Sequence, residues 1–208
     1  MDQVFDDQRV TLSLGDVLTN GFAIGLKNAL SLIGASILWI LTIWIPYLNV
    51  GTTIGLFTMP VAMSKGKIVS PTEIFDGKYR QYMGEFFLLL GLRSLMTIPG
   101  YLFMYIPGIV MSLTYSMGVY IVLDKHIEPS KALSMSNKMT YGNKWTIFLS
   151  RLSVYAPFLL FGLILRVAPS LFGVVGFLIF IYMIVMIPIM LGIDAYIYSQ
   201  LSKAELVE

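Results

Sequence analysis

Six apolar runs limit what this chain can fold into. They cover 29–45, 50–63, 85–105, 109–123, 145–165 and 171–200, and within each successive pair only a short turn intervenes: Pro46-Tyr47-Leu48-Asn49, Ile106-Pro107-Gly108 and Arg166-Val167-Ala168-Pro169-Ser170. About 20 apolar residues cross a bilayer as a helix, and backbone inside hydrocarbon must satisfy its own hydrogen bonds. Composition agrees. The 208 residues are 57% hydrophobic and 12% charged, against about 45–50% and about 25% in soluble domains. So little polar surface cannot coat a water-soluble fold, so lipid is the expected solvent. The run at 50–63 is short for a span. It is expected to begin inside the Pro46 turn, with Pro60 as a kink, or to lie where the protein thins the bilayer.

The charged connections carry helix signals of a different kind. Ser13 with Asp16 resembles a capping box, followed by an apolar face of Leu14, Val17, Leu18, Phe22, Gly25 and Leu26. Two readings stay open for it: a helix lying in the interface, or one packed on the bundle. In the connection 64–83, Ser70-Pro71-Thr72-Glu73 reads as a helix start, and Ile74, Phe75, Tyr79, Tyr82 and Met83 form a stripe behind it. A third amphipathic helix is expected from Pro129, with Ala132, Leu133, Ser136 and Met139 on one face and Gly142 as its stop.

Set side by side, the segments repeat: amphipathic helix, junction, span, turn, span. The expected fold is all-α, a polytopic transmembrane bundle forming one integral membrane domain. It has six spans arranged as three proline-turn hairpins, each preceded by a cytoplasmic amphipathic helix. Possible repeat units are 13–63, 70–123 and 129–200; loosely similar turns in any hairpin protein are the alternative explanation. On this threading Arg9, Lys27, Lys65, Lys67, Lys78, Arg80, Lys125, Lys131, Lys138, Lys144 and Lys203 share one face and only Arg166 lies opposite. The positive-inside rule makes that face, and both termini, cytoplasmic. The first residues, Met1 to Asp7, are acidic and unlike a secretory signal, so insertion is expected to use the first span.

The stretches Ile106-Pro107-Gly108-Ile109-Val110 and Tyr115-Ser116-Met117, then Ala132-Leu133 with Ser136 and Met139, and finally Gly142-Asn143-Lys144-Trp145 with Phe148, carry a family likeness. They resemble the YciC-like family of bacterial multi-span proteins, a domain-of-unknown-function family (nine-seven-five). That family is distantly similar to the membrane domain fused to some glycerophosphodiester phosphodiesterases. The likeness covers roughly 74–155; outside it only hydropathy is shared. The resemblance implies a bacterial inner-membrane protein and transfers no catalytic residue.

Catalytic chemistry finds few tools here. Cysteine is absent, His126 is the one histidine, and neither H-E-x-x-H, G-x-S-x-G nor a P-loop occurs. No enzyme, metal or cofactor is expected. The net charge of +2, spread beside the spans, argues against nucleic acid. What remains is a set of charges in costly places. Arg93, Arg151 and Asp194 fall inside spans, each about 10–14 Å from the cytoplasmic end at about 1.5 Å per residue. A charge at that depth costs at least about 2.5–3.5 kcal/mol unless paired, hydrated or snorkelling, so Asp194 is expected to meet one or both arginines. Such a cluster is either a structural pin between spans or a polar cavity open to the cytoplasm, with prolines at 60, 99, 157 and 188 freeing carbonyls to line it. Lys78, Arg80, Lys131, Lys138, Lys144 and Trp145 are candidate contacts for anionic lipid.

The function expected from this is a non-catalytic scaffold or accessory subunit. Its partners are membrane lipids and another membrane protein or a second copy. The alternative is a small transporter or lipid-handling protein whose cavity takes an anionic headgroup or solute.

Overall fold

The computed structural model describes residues 10–204, so Arg9, the acidic N-terminal stretch and the last four residues, on which part of the expected orientation rested, lie outside the described residues. All regular structure among the described residues is helical. The α-helices are α1 (Leu14–Lys27), α2 (Ala29–Thr42), α3 (Pro46–Ser64), α4 (Met83–Phe103), α5 (Tyr105–Thr114), α6 (Gly118–Lys125), α7 (Pro129–Thr140), α8 (Lys144–Ser153), α9 (Ala156–Val167) and α10 (Phe172–Ala204). Short 3₁₀ helices cover Pro71–Phe75, Gly77–Tyr82 and Pro169–Leu171.

Proline opens several of these elements where its missing N–H costs nothing: Pro46 begins α3 and Pro129 begins α7. The third amphipathic helix forms as its pattern predicts, burying Ala132, Leu133 and Ser136. Gly142 (φ 82°) then supplies the left-handed turn that releases the chain into α8. The second does not form as one α-helix. Two 3₁₀ turns stand there instead, because the Asp76 side chain accepts the backbone N–H of Lys78 and breaks the ladder between them. Ser13 makes no side-chain capping bond.

The first amphipathic helix is a packing element. α1 lies along the second half of α10, and the contact is made by glycines. A Cβ on Gly25 would sit 2.4 Å from the carbonyl oxygen of Pro188, and one on Gly192 2.4 Å from that of Gly21. Gly21 and Gly25 form a G-x-x-x-G pair, the spacing that lets two helix backbones approach where lipid gives no hydrophobic drive.

Packing separates the molecule into a buried part and an apolar exposed part. α3, α6, α7 and the second half of α10 supply much of the core, with Ile54, Met117, Ile121, Leu133, Ile193, Ile197 and Tyr198 fully buried. Exposed apolar side chains crowd the α2–α3 turn, the α4–α5 turn, α9 and the first half of α10; Trp44 and Phe103 are each 87% exposed. Such surface belongs in hydrocarbon, not water.

Among the described residues four helical runs are long and apolar enough to cross a membrane: Gly77–Phe103, Tyr105–Lys125, Lys144–Val167 and Pro169–Lys203. α1 and α2 qualify as a fifth only when taken together across a 68° bend. The four match the second and third expected hairpins, and the departure from six spans lies in the first. α3 does not qualify as a span, and much of it is buried.

The residues that precede α2, α4 and α8 share one geometry. Asn28, Tyr82 and Asn143 have φ, ψ of −105°, 8°; −94°, 11°; and −106°, 3°. Each contacts a segment distant in the chain. Asn28 Oδ1 accepts from Val69 N–H at 3.1 Å, and Asn143 Oδ1 accepts from Leu12 N–H at 2.7 Å while its Nδ2 donates to Val10 O. Tyr82 stacks on His126, with ring centroids 4.3 Å apart.

Candidate functional site

Asp194 of α10 is held on both oxygens. Arg151 of α8 donates to Oδ1 through Nε (3.0 Å) and Nη2 (2.8 Å), and the Tyr120 hydroxyl of α6 donates to Oδ2 at 2.8 Å. The pair is largely enclosed, with side-chain exposures of 21% for Arg151 and 13% for Asp194. Helix register places these groups: Ile147 and Ser150 bury the neighbouring face of α8, and Ile193 and Ile197 flank the carboxylate on α10. Both arginine donors fall on one oxygen, which leaves the other for the phenol.

One helical turn along, the arrangement recurs with its partners exchanged. Tyr198 of α10 donates to Asp124 Oδ2 of α6 at 2.7 Å, and the other oxygen of Asp124 pairs with Lys65 at the end of α3. The Tyr120 and Tyr198 rings lie against each other at 5.9 Å. Since residue 120 meets 194 and 124 meets 198, α6 and α10 run in the same direction. A basin of about 440 Å³ opens beside this second node, lined by Lys65, Asp124, Lys125, Tyr198, Ser202 and Lys203 among others.

The structure thus joins two of the three intramembrane charges expected to meet. Arg151 bonds Asp194; Arg93 makes no hydrogen bond or ion pair to it. Arg93 sits on the face of α4 that buries Phe86, Leu89 and Thr97, and the carboxylate it faces already has its donors. Tyr120, Tyr198 and Asp124 were missed in the sequence. Their signal was the spacing: a tyrosine and an aspartate four residues apart in two different apolar runs.

The candidate lipid contacts occupy separate segments. Lys78 pairs with Asp76 at 2.7 Å and lies 5.1 Å from the Tyr79 ring centroid. The Lys78 side chain, helped by its backbone N–H, holds the Asp76 carboxyl below its usual range. Arg80 stands over the Tyr47 ring at 5.3 Å, with no carboxylate partner among the described residues. Lys131 reaches Glu128 only at 4.0 Å; Lys138 is exposed, Lys144 partly so, and Trp145 is exposed with its ring edge-on to Phe148. Among the described residues no three of His, Asp and Glu cluster as metal ligands.

Comparisons with family models, curated proteins and solved structures find no match to this chain.

Proposed function

We propose that the chain is a non-catalytic integral component of a bacterial inner membrane, a scaffold or accessory subunit of the kind its YciC-like resemblance suggests. The observation that carries the reading is the engagement of both Asp194 oxygens: Arg151 takes one and Tyr120 the other. A group meant to receive a proton, a cation or a substrate keeps an oxygen open to a cavity, whereas both oxygens here tie α6, α8 and α10 together. Buried ion pairs of this kind serve register and specificity more than net stability. The second and third hairpins cross the bilayer, with the lysine-bearing connections and both ends of the chain on the cytoplasmic side. The apolar sides of α9 and α10 then offer surface to lipid and to a protein partner, another membrane protein or a second copy.

Photocrosslinking tests the partner. A photoreactive residue at Leu160 or Phe177, both exposed, is expected to give a discrete protein adduct in intact membranes. Adducts with lipid alone at every such position contradict the scaffold.

A second reading, lipid or anion handling, is favoured by Arg93. Arg93 stands near the Arg151–Asp194 pair without bonding to it, so two guanidinium groups lie beside a single carboxylate and the cluster carries an excess positive charge inside the bilayer. An anionic headgroup or solute entering from the cytoplasmic side neutralises it. Arg93→Gln then lowers binding of that anion while leaving the Arg151–Asp194 pair in place.

A further inference from the structure

The first hairpin and the charged segment that follows it meet where six crossings would keep them apart. On that threading Tyr47 lies at the outer face and Tyr82 at the cytoplasmic start of the third span. A Cβ on Gly51 would lie 3.1 Å from the Arg80 Cγ, and Arg80 is two residues from Tyr82. Two peptide units reach at most about 7 Å, so Gly51 is within about 14 Å of Tyr82, and Tyr47, one helical turn beyond, within about 20 Å. The hydrocarbon core is about 30 Å thick. The α2–α3 turn therefore falls short of the far face.

Several independent features converge on that turn. α1 and α2 bend by 68° at Asn28 instead of continuing as one span. The tip carries exposed Leu41, Ile43, Trp44, Ile45 and Tyr47, an apolar and aromatic edge of the type that enters a leaflet. Arg80 rests on the Tyr47 ring with no carboxylate partner among the described residues, in contrast to Lys78, which Asp76 neutralises. Close by on α3, Asn49 Nδ2 is buried without an acceptor among the described residues.

We infer that the α2–α3 hairpin is a shallow re-entrant element that enters and leaves the cytoplasmic leaflet, and that Arg80 with Tyr47, beside its turn, binds the phosphate of an anionic phospholipid. Exposed Leu41, Ile43, Trp44 and Ile45 reach the acyl chains just beneath the headgroups. Arg80 supplies the fork of donors that suits a phosphate, and the Tyr47 ring fixes its plane. An even number of crossings is preserved, because a hairpin that returns to its own side leaves the later spans and both ends where the positive-inside rule puts them. The inference holds whether or not the chain acts as a scaffold, since it concerns lipid rather than a protein partner.

Trp44 reports directly on the occupant. With Trp39 and Trp145 replaced by phenylalanine, Trp44 is the one remaining indole. The protein is reconstituted in phosphatidylcholine vesicles containing an equal mole fraction of brominated phosphatidylglycerol or brominated phosphatidylcholine. Quenching is expected to be about threefold stronger with the anionic lipid, to fall to the zwitterionic level in Arg80→Gln, and to be recovered only in part by Arg80→Lys. Arg166→Gln, at the exposed end of α9, is expected to leave it unchanged. Equal quenching by both lipids overturns the phosphate site, and no quenching by either overturns insertion of the tip. Loss of the anionic preference on adding inorganic phosphate to the bath assigns the site to a soluble anion and overturns the lipid assignment.

Discussion

Tyr120 and Asp194 are joined by a 2.8 Å hydrogen bond from the phenol to Oδ2, and one turn further along the same two helices Tyr198 returns the bond to Asp124 at 2.7 Å. α6 and α10 are thus fixed in register by two reciprocal tyrosine–aspartate pairs. Arg151 and Lys65 then attach α8 and α3 to the same carboxylates.

Removing one phenol should expose how much this register is worth. Tyr120→Phe leaves Asp194 Oδ2 without its donor in an enclosed site, at an expected cost of about 1–3 kcal/mol. A thermal melt in detergent reads this as a lowered midpoint. An unchanged midpoint would mean that water already satisfies the oxygen.

The ion pair should behave non-additively. Breaking a buried pair from one side costs about 3–5 kcal/mol, whereas replacing both partners with apolar residues of similar volume is often close to neutral. Arg151→Met and Asp194→Leu are each expected to destabilise strongly, and the double variant less than either. Simple addition of the two losses in unfolding midpoints would show that the groups act independently.

The α1–α10 seam predicts a sharp contrast between glycines. Gly192→Ala drives a methyl to within 2.4 Å of the Gly21 carbonyl oxygen, while Gly162→Ala meets nothing within 4 Å. The first is expected to free α1 and make the N-terminal segment protease-sensitive. The second, on exposed α9, is expected to be neutral or to gain up to about 1 kcal/mol from helix propensity. Equal protection of the two variants would place the seam's importance elsewhere.

Sidedness separates the two ways of threading the first hairpin. A single cysteine at Asn49 is expected to escape a membrane-impermeant thiol reagent added on the side that labels one at Ser170, while one at Lys67 is labelled from the opposite side. Reaction of Asn49 and Ser170 from one shared side would restore six crossings.

Much of this architecture was legible in the sequence. Apolar length and charge spacing placed the helices from Met83 onward, and the proline signals at 46 and 129 marked helix starts. Depth alone suggested that Asp194 and Arg151 meet, because an unpaired charge there is costly. Other parts needed three dimensions. Hydropathy counts the run 50–63 as lipid-facing, yet Ile54, Met59 and Val61 are apolar because they face protein. Gly21 and Gly25 stand far from Gly192 in the chain, and only their contact shows why no side chain fits. Tyr120 looked like one aromatic residue among many until Asp194 was placed beside its hydroxyl.

On the proposed function, the Arg151–Asp194–Tyr120 cluster acts as a closed structural lock. Cysteines at Ser150 and Ala195, each buried and adjacent in sequence to one member of the pair, probe it without removing either charge. The measurement is their reaction, in intact vesicles, with a membrane-impermeant thiol reagent added on the cytoplasmic side, against a cysteine at exposed Lys67 as the positive control. Protection at both buried positions until the protein is denatured is the predicted result. Rapid labelling of either one in the folded protein would contradict the lock and point to a hydrated cavity around Arg93.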